Sequence, residues 1–171
     1  MYNAGISGVE PESDTEDHMK TKAILMAVMA LLAAVAVAFA AEDVNLGTWK
    51  LNEAKSKLSP GGVKNTSVVY AVEGERVKVT VDGVDAAGKP THNEWTGMFD
   101  GKDYAVTGDP TTDMRSYQRI DDHTLSLTAK KDGKVTMTGR IVVSADGKSR
   151  TVSITDAKSA TTTSTAVYDK Q

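Results

Sequence analysis

The chain has 171 residues, with 20 Lys and Arg against 23 Asp and Glu, and it contains no Cys. Disulfides and thiolate metal or redox chemistry are therefore excluded, and stability rests on a packed core. Beyond residue 41 the charges balance at 18 of each sign without a Lys/Arg block, which argues against a nucleic-acid partner, whose phosphates demand a clustered basic face.

Residues 1–18 are a strongly acidic lead carrying Glu10, Glu12, Asp14, Glu16 and Asp17. They read as a non-native or disordered extension, with Met19 as the start of the working chain. Lys20 and Lys22 then precede the apolar run 23–41, which ends in Ala38-Phe39-Ala40. A basic lead, an apolar middle and a small-x-small exit predict a signal helix over 19–41, cleaved after Ala40 or Ala41. The rival reading is a membrane anchor, since nineteen apolar residues approach the ~20 that span a bilayer. The many Ala residues and the cleavage pattern weigh against it. Export to the periplasm or outside the cell follows, with residues 42–171 as the mature domain and no stable membrane insertion.

From residue 42 onward the hydrophobic period is two almost throughout, so the domain is all-β. Strands are predicted over 46–52, 65–72, 76–81, 91–99, 102–107, 114–121, 124–130, 134–144, 150–155 and 162–168. Asp132-Gly133 between two cleanly alternating runs is a hairpin turn with φ > 0, and Asp82-Gly83, Asp100-Gly101 and Asp146-Gly147 repeat the pattern. Further turns are expected at Gly74, at Ala87-Gly88-Lys89-Pro90 and at Asp109-Pro110. Short connections favour an antiparallel up-and-down order, and closure into a β-barrel of about 8–10 strands removes the exposed edges. Between the first two strands, 53–58 can form one or two helical turns before Ser59-Pro60-Gly61-Gly62 and cap one mouth.

Gly47-Thr48-Trp49 on the first strand, followed by a short helical segment and a meander, resembles the lipocalin and fatty-acid-binding-protein group of barrels, in which Gly-x-Trp sits at the closed end. Thr48-Trp49-Lys50-Leu51-Asn52 with Lys55-Ser56-Lys57, then Asp85-Ala86-Ala87-Gly88-Lys89-Pro90, Asp100-Gly101-Lys102-Asp103-Tyr104 and Val167-Tyr168-Asp169-Lys170-Gln171, extend the likeness. They are similar to exported bacterial lipocalin-like proteins of unassigned function. The resemblance implies a barrel able to enclose a small, largely apolar ligand. It also implies a late Arg packed over the first-strand Trp; no Arg follows Arg150, so Lys170 or Arg140 takes that place. The segment between the first two strands is short for a two-helix lid.

Trp49 is assigned to the barrel floor. On the fourth strand Trp95, Gly97 and Phe99 share one face, taken as inward, and Tyr104 completes that wall. Gly97 either leaves room for a bound group or marks a bulge or bend. On the sixth strand Arg115, Tyr117 and Arg119 share a face. Turned inward, they form an anion clamp for a carboxylate or phosphate head group; turned outward, they are solvated surface. The apolar Met114 and Ile120 on the opposite face favour the outward orientation.

Other motifs point to ordinary structure. His92 and Glu94, with Asp121, Asp122 and His123, lack metal-site spacing and read as solvated residues. Asp109-Pro110-Thr111-Thr112-Asp113 reads as a turn, and no Gly-x-Ser-x-Gly elbow supports hydrolysis. The expectation is an exported non-enzymatic binding protein without a cofactor, holding a small hydrophobic or amphiphilic ligand through Trp95, Phe99, Tyr104, Arg115, Tyr117 and Arg119. The alternative is a filled barrel acting through its loops as an envelope interaction or protective protein, its protein partner unidentified.

Overall fold

A computed structural model describes residues 43–158 and 162–171. The expected extension and signal segment lie outside the described residues. The domain is a closed antiparallel barrel of ten strands: β1 (Gly47–Leu51), β2 (Lys64–Glu73), β3 (Arg76–Val84), β4 (Pro90–Gly97), β5 (Tyr104–Thr107), β6 (Met114–Asp121), β7 (Thr124–Lys131), β8 (Lys134–Val143), β9 (Ser149–Asp156) and β10 (Thr162–Lys170). Each strand pairs with its neighbours in sequence, and β1 closes the ring by pairing with both β2 and β10. Trp49 lies opposite Val68 on one side and Lys170 on the other. Closure gives every strand a partner on both sides over at least part of its length, which limits the exposed edge that could template aggregation.

The turn chemistry explains most of the strand boundaries. Asp132 and Gly133 both have positive φ, 51° and 73°, which fits the right-handed twist of the β7–β8 hairpin. Asp82-Gly83 is different: it lies inside β3 rather than in a turn. A Cβ on Gly83 would stand 2.3 Å from the carbonyl oxygen of Lys64. Glycine is used there for close backbone approach beside the β2 bulge between Asn65 and Ser67. The chain instead turns at 85–89, where Asp85 Oδ1 accepts from the amides of Ala87 and Lys89, both at 2.9 Å.

The expected helical segment is reduced to one 3₁₀ turn, Glu53–Lys55, whose Lys55 amide donates to the Asn52 side chain at 3.2 Å. It adjoins the open end of the barrel, where the 52–63, 85–89 and 108–113 connections gather. At the opposite end, Asp43 to Leu46 fold beneath the start of β1, and the Asn45 carbonyl accepts from Trp49 Nε1 at 2.9 Å. Asp43 is joined to Arg119 by a close ion pair.

Candidate functional site

The interior is divided along its length. Its closed half is solid with aromatic rings. Trp95 meets Tyr117 edge-on at 4.7 Å between centroids, Tyr104 edge-on at 5.7 Å, and Phe99 in a stacked arrangement at 6.4 Å. Trp95 Nε1 donates to the Arg115 carbonyl at 2.8 Å, so the one polar atom of this buried indole is satisfied. Gly97 does leave room, but the Trp95 and Tyr104 rings occupy it: a Cβ there would lie 2.5 and 2.6 Å from them. Trp95, Phe99 and Tyr104 are therefore packing partners beneath the open space.

The open half is a cavity of about 660 Å³, a size ordinary for small-molecule sites. Its walls include Val68, Val81, Leu127, Ile141, Val152 and Ala166, and its rim includes Leu58, Val63, Pro90 and Pro110. Two guanidiniums and three phenols, Arg115, Arg150, Tyr70, Tyr117 and Tyr168, interrupt this apolar lining.

Arg115 and Tyr117 point inward and are 6% and 3% exposed, which corrects the outward orientation favoured by Met114 and Ile120. The reason lies in the β6–β7 register. Arg115, Tyr117 and Arg119 stand opposite Ala129, Leu127 and Leu125, and directly paired residues share a face. The alternation of β7 thus decides the orientation of β6, and Ile120 is left 53% exposed. The three residues do not form one clamp. Arg115 Nη2 lies 3.5 Å from Asp109 Oδ2, and its Nη1 donates to Asn93 Oδ1 at 3.4 Å. Arg119 sits at the closed end against Asp43, with its guanidinium 5.2 Å from the Phe99 ring centre, and does not line the cavity.

Arg150 is the site residue that the sequence reading passed over. It projects from β9 in phase with Val152 and Ile154, and it is 2% exposed. Its guanidinium carbon lies 4.8 Å from the ring centres of Trp49 and Tyr70 and 5.0 Å from that of Tyr168. Arg150 thus fills the place over the first-strand Trp, together with Lys170, whose Nζ is 5.3 Å from the same ring. Arg140 is exposed on the outer surface of β8 and takes no part. The signal was available: a charge in register with apolar partners on an alternating strand is an inward charge.

Burying an ion costs several kcal/mol even after relaxation. Desolvated cation–π contacts return about 2 kcal/mol each. Ring faces nevertheless do not accept the in-plane N–H groups, and Nε and Nη1 of Arg150 are buried without a hydrogen-bond partner. No carboxylate among the described residues forms an ion pair with it. Burial raises the pKa values of Tyr70 and Tyr168, and Arg150 opposes that only in part. Both phenols stay protonated in the physiological range, leaving neutral rings beside a cation.

The remaining candidates lie elsewhere. His92 Nδ1 is 2.7 Å from Asp82 Oδ1 and its Nε2 is 3.6 Å from Glu94, while Glu94 also holds Lys78 at 2.8 Å. This is an exposed ionic ladder across β3 and β4, at the mouth end. His123, on the β6–β7 turn, is at the closed end, so the two histidines cannot share an ion. Asp109 closes a turn by accepting from the Thr111 amide and hydroxyl at 2.9 and 2.8 Å. No family model matches this chain, and no curated protein does.

Proposed function

We propose that the protein is an exported, non-enzymatic carrier whose barrel holds one small, largely apolar ligand in its open half. The observation that carries this reading is the cavity of about 660 Å³, walled by aliphatic side chains and closed below by packed rings. A lipocalin-like relationship is supported by three features together: the closed ten-strand order, the Gly-x-Trp of β1 and the late-chain Arg150 seated over Trp49. Export rests on the 19–41 pattern. A filled barrel working only through its loops accords with the closed half but leaves the open half unexplained.

Native mass spectrometry of the protein purified gently from its own host, set against its denatured mass, tests the proposal. A reproducible extra mass that disappears on denaturation is the expected result. Ala166→Phe should weaken it, because Ala166 lines the cavity wall and a phenyl group projecting from there narrows the space. A bare mass in the wild type, with no uptake of apolar probes by the purified protein, would overturn the carrier reading.

A further inference from the structure

The rim of the cavity is held unevenly. The β1–β2 connection, where a two-helix lid would sit, is bolted to the wall. The Asn52 and Lys57 amides donate to the Val167 and Thr165 carbonyls at 2.8 and 2.7 Å, and the Lys57 carbonyl accepts from the Thr165 amide at 2.8 Å. The 85–89 turn is closed on itself by the Asp85 amide and the Lys89 carbonyl at 2.9 Å. The β5–β6 loop is different. β4 pairs with β5 only at Glu94 and Trp95, so residues 90–93 have no ladder partner on that side among the described residues. At about 3.3 Å per residue this seam is roughly 13 Å long. Residues 90–93 and 108–111 border the cavity along its two sides.

A side-chain bridge spans the seam. From β6, Arg115 reaches Asn93 Oδ1 on β4 at 3.4 Å and Asp109 Oδ2 in the loop at 3.5 Å. The other oxygen of Asp109 accepts from the Thr111 amide and hydroxyl, which ties residues 109–111 into one piece. Gly108, with φ 81°, is one foot of that piece, and the buried Thr112 is the other. Gly108 lies directly against β4: a Cβ there would stand 2.4 Å from the His92 carbonyl oxygen. The Asp109 and Arg115 side chains are only 14% and 8% exposed, and a buried ion pair adds little stability over a well-packed apolar pair. What it adds here is a contact that can open, because both groups border the mouth and rehydrate when the loop lifts.

We infer that the β5–β6 loop is the gate of the cavity and that the Asp109–Arg115 pair is its latch. When the pair parts, residues 109–111 swing away from β4 and the ligand passes through the opened seam. This rests on the carrier reading and adds the route and the residues that control it. A change that favours the open gate equally in the empty and the loaded barrel raises both rate constants of exchange together and leaves affinity nearly where it was.

Stopped-flow mixing with N-phenyl-1-naphthylamine, a neutral apolar fluorophore, tests the latch on protein stripped of any carried ligand. Asp109→Asn keeps an acceptor for Thr111 and removes the charge, and its association and dissociation rate constants should both rise at least about fivefold. Lys64→Ala, which breaks the pair with Glu53 on the opposite rim, should leave both within about twofold. Asp109→Asn strips a buried guanidinium of its counter-charge and can fail to fold, so Arg115→Met opens the latch from the other side with an apolar chain. It should also accelerate dissociation, and the double variant should be no faster than the faster single one. Wild-type rates in the folded variants overturn the gate and leave the carrier reading standing. Faster dissociation of Asp109→Asn with unchanged association overturns it too, since the pair would then hold the probe rather than the loop. No fluorescence gain with the wild type removes the carrier reading and the gate with it.

Discussion

Gly97→Ala is the sharpest test of how the interior is divided. The Cβ it adds would meet Trp95 Cζ2 at 2.5 Å and two ring atoms of Tyr104 at 2.6 Å, all closer than carbon atoms approach without displacement. These are rigid rings, and Trp95 is further pinned by its hydrogen bond to the Arg115 carbonyl and its contact with Tyr117. The φ of Gly97 is not positive, so alanine meets no backbone strain and the effect isolates packing. Overpacking of this kind costs about 1–3 kcal/mol. For a domain of this size that is a fall in Tm of roughly 4–12 °C, or in the urea midpoint of roughly 0.5–1.5 M. The indoles of Trp49 and Trp95 are both buried, so intrinsic fluorescence follows the transition directly. Gly62→Ala is the control: its Cβ approaches only Ser59, at 3.4 and 3.6 Å, and its stability should stay within about 0.5 kcal/mol of wild type. If Gly97→Ala unfolds with the wild type, the rings withdraw freely, and the space beside Gly97 belongs to the cavity after all.

Trp49→Phe leaves the Asn45 carbonyl without its donor and thins the ring cluster under Arg150, with an expected loss of roughly 1–3 kcal/mol in urea unfolding. For Asp43, burial raises the carboxyl pKa, but hydrogen bonds from Arg119 and Asn45 outweigh it and the net shift is downward. Its contribution is therefore present above the unfolded value near 3.9 and is lost as pH falls through the lower folded value, so Asp43→Asn should flatten the acid limb of a stability–pH curve. The hydrogen bond to Asp82 raises the His92 pKa, with Glu94 assisting. The imidazole protons should titrate above the usual value near 6.5 by NMR and return toward it in Asp82→Asn. The stabilising sense of this pair holds below the unfolded pKa and disappears as pH rises through the folded one.

Strand count, order and closure were legible because they depend on local chemistry: alternation with period two, and turn residues at the hairpins. Where a local signal served two physical purposes, the reading diverged. Asp82-Gly83 has the composition of a tight turn, yet its glycine is spent on the approach of Lys64 inside a strand. Gly97 between two aromatics has the composition of an opening, yet neighbouring rings fill it. In both cases the missing information was which other segment comes close, and a strand cannot report that from its own residues.

The orientation of β6 carries the same lesson into the site. Judged by itself, β6 offers two mixed faces, and Met114 and Ile120 tip the balance the wrong way. Judged through its hairpin with β7, Leu125, Leu127 and Ala129 leave one solution, with Arg115 and Tyr117 inside. The same step applied to β9 places Arg150 inside with Val152 and Ile154, where it meets Trp49. An inward arginine on an aliphatic strand is unfavourable unless something pays its desolvation, and the described residues supply rings but no anion. Arg115 shows the contrasting solution within the same cavity, a guanidinium answered by Asp109 and Asn93 from neighbouring loop and strand. Two charges of one type in one chamber are thus held in two ways, Arg115 by an acid and an amide and Arg150 by the faces of three rings.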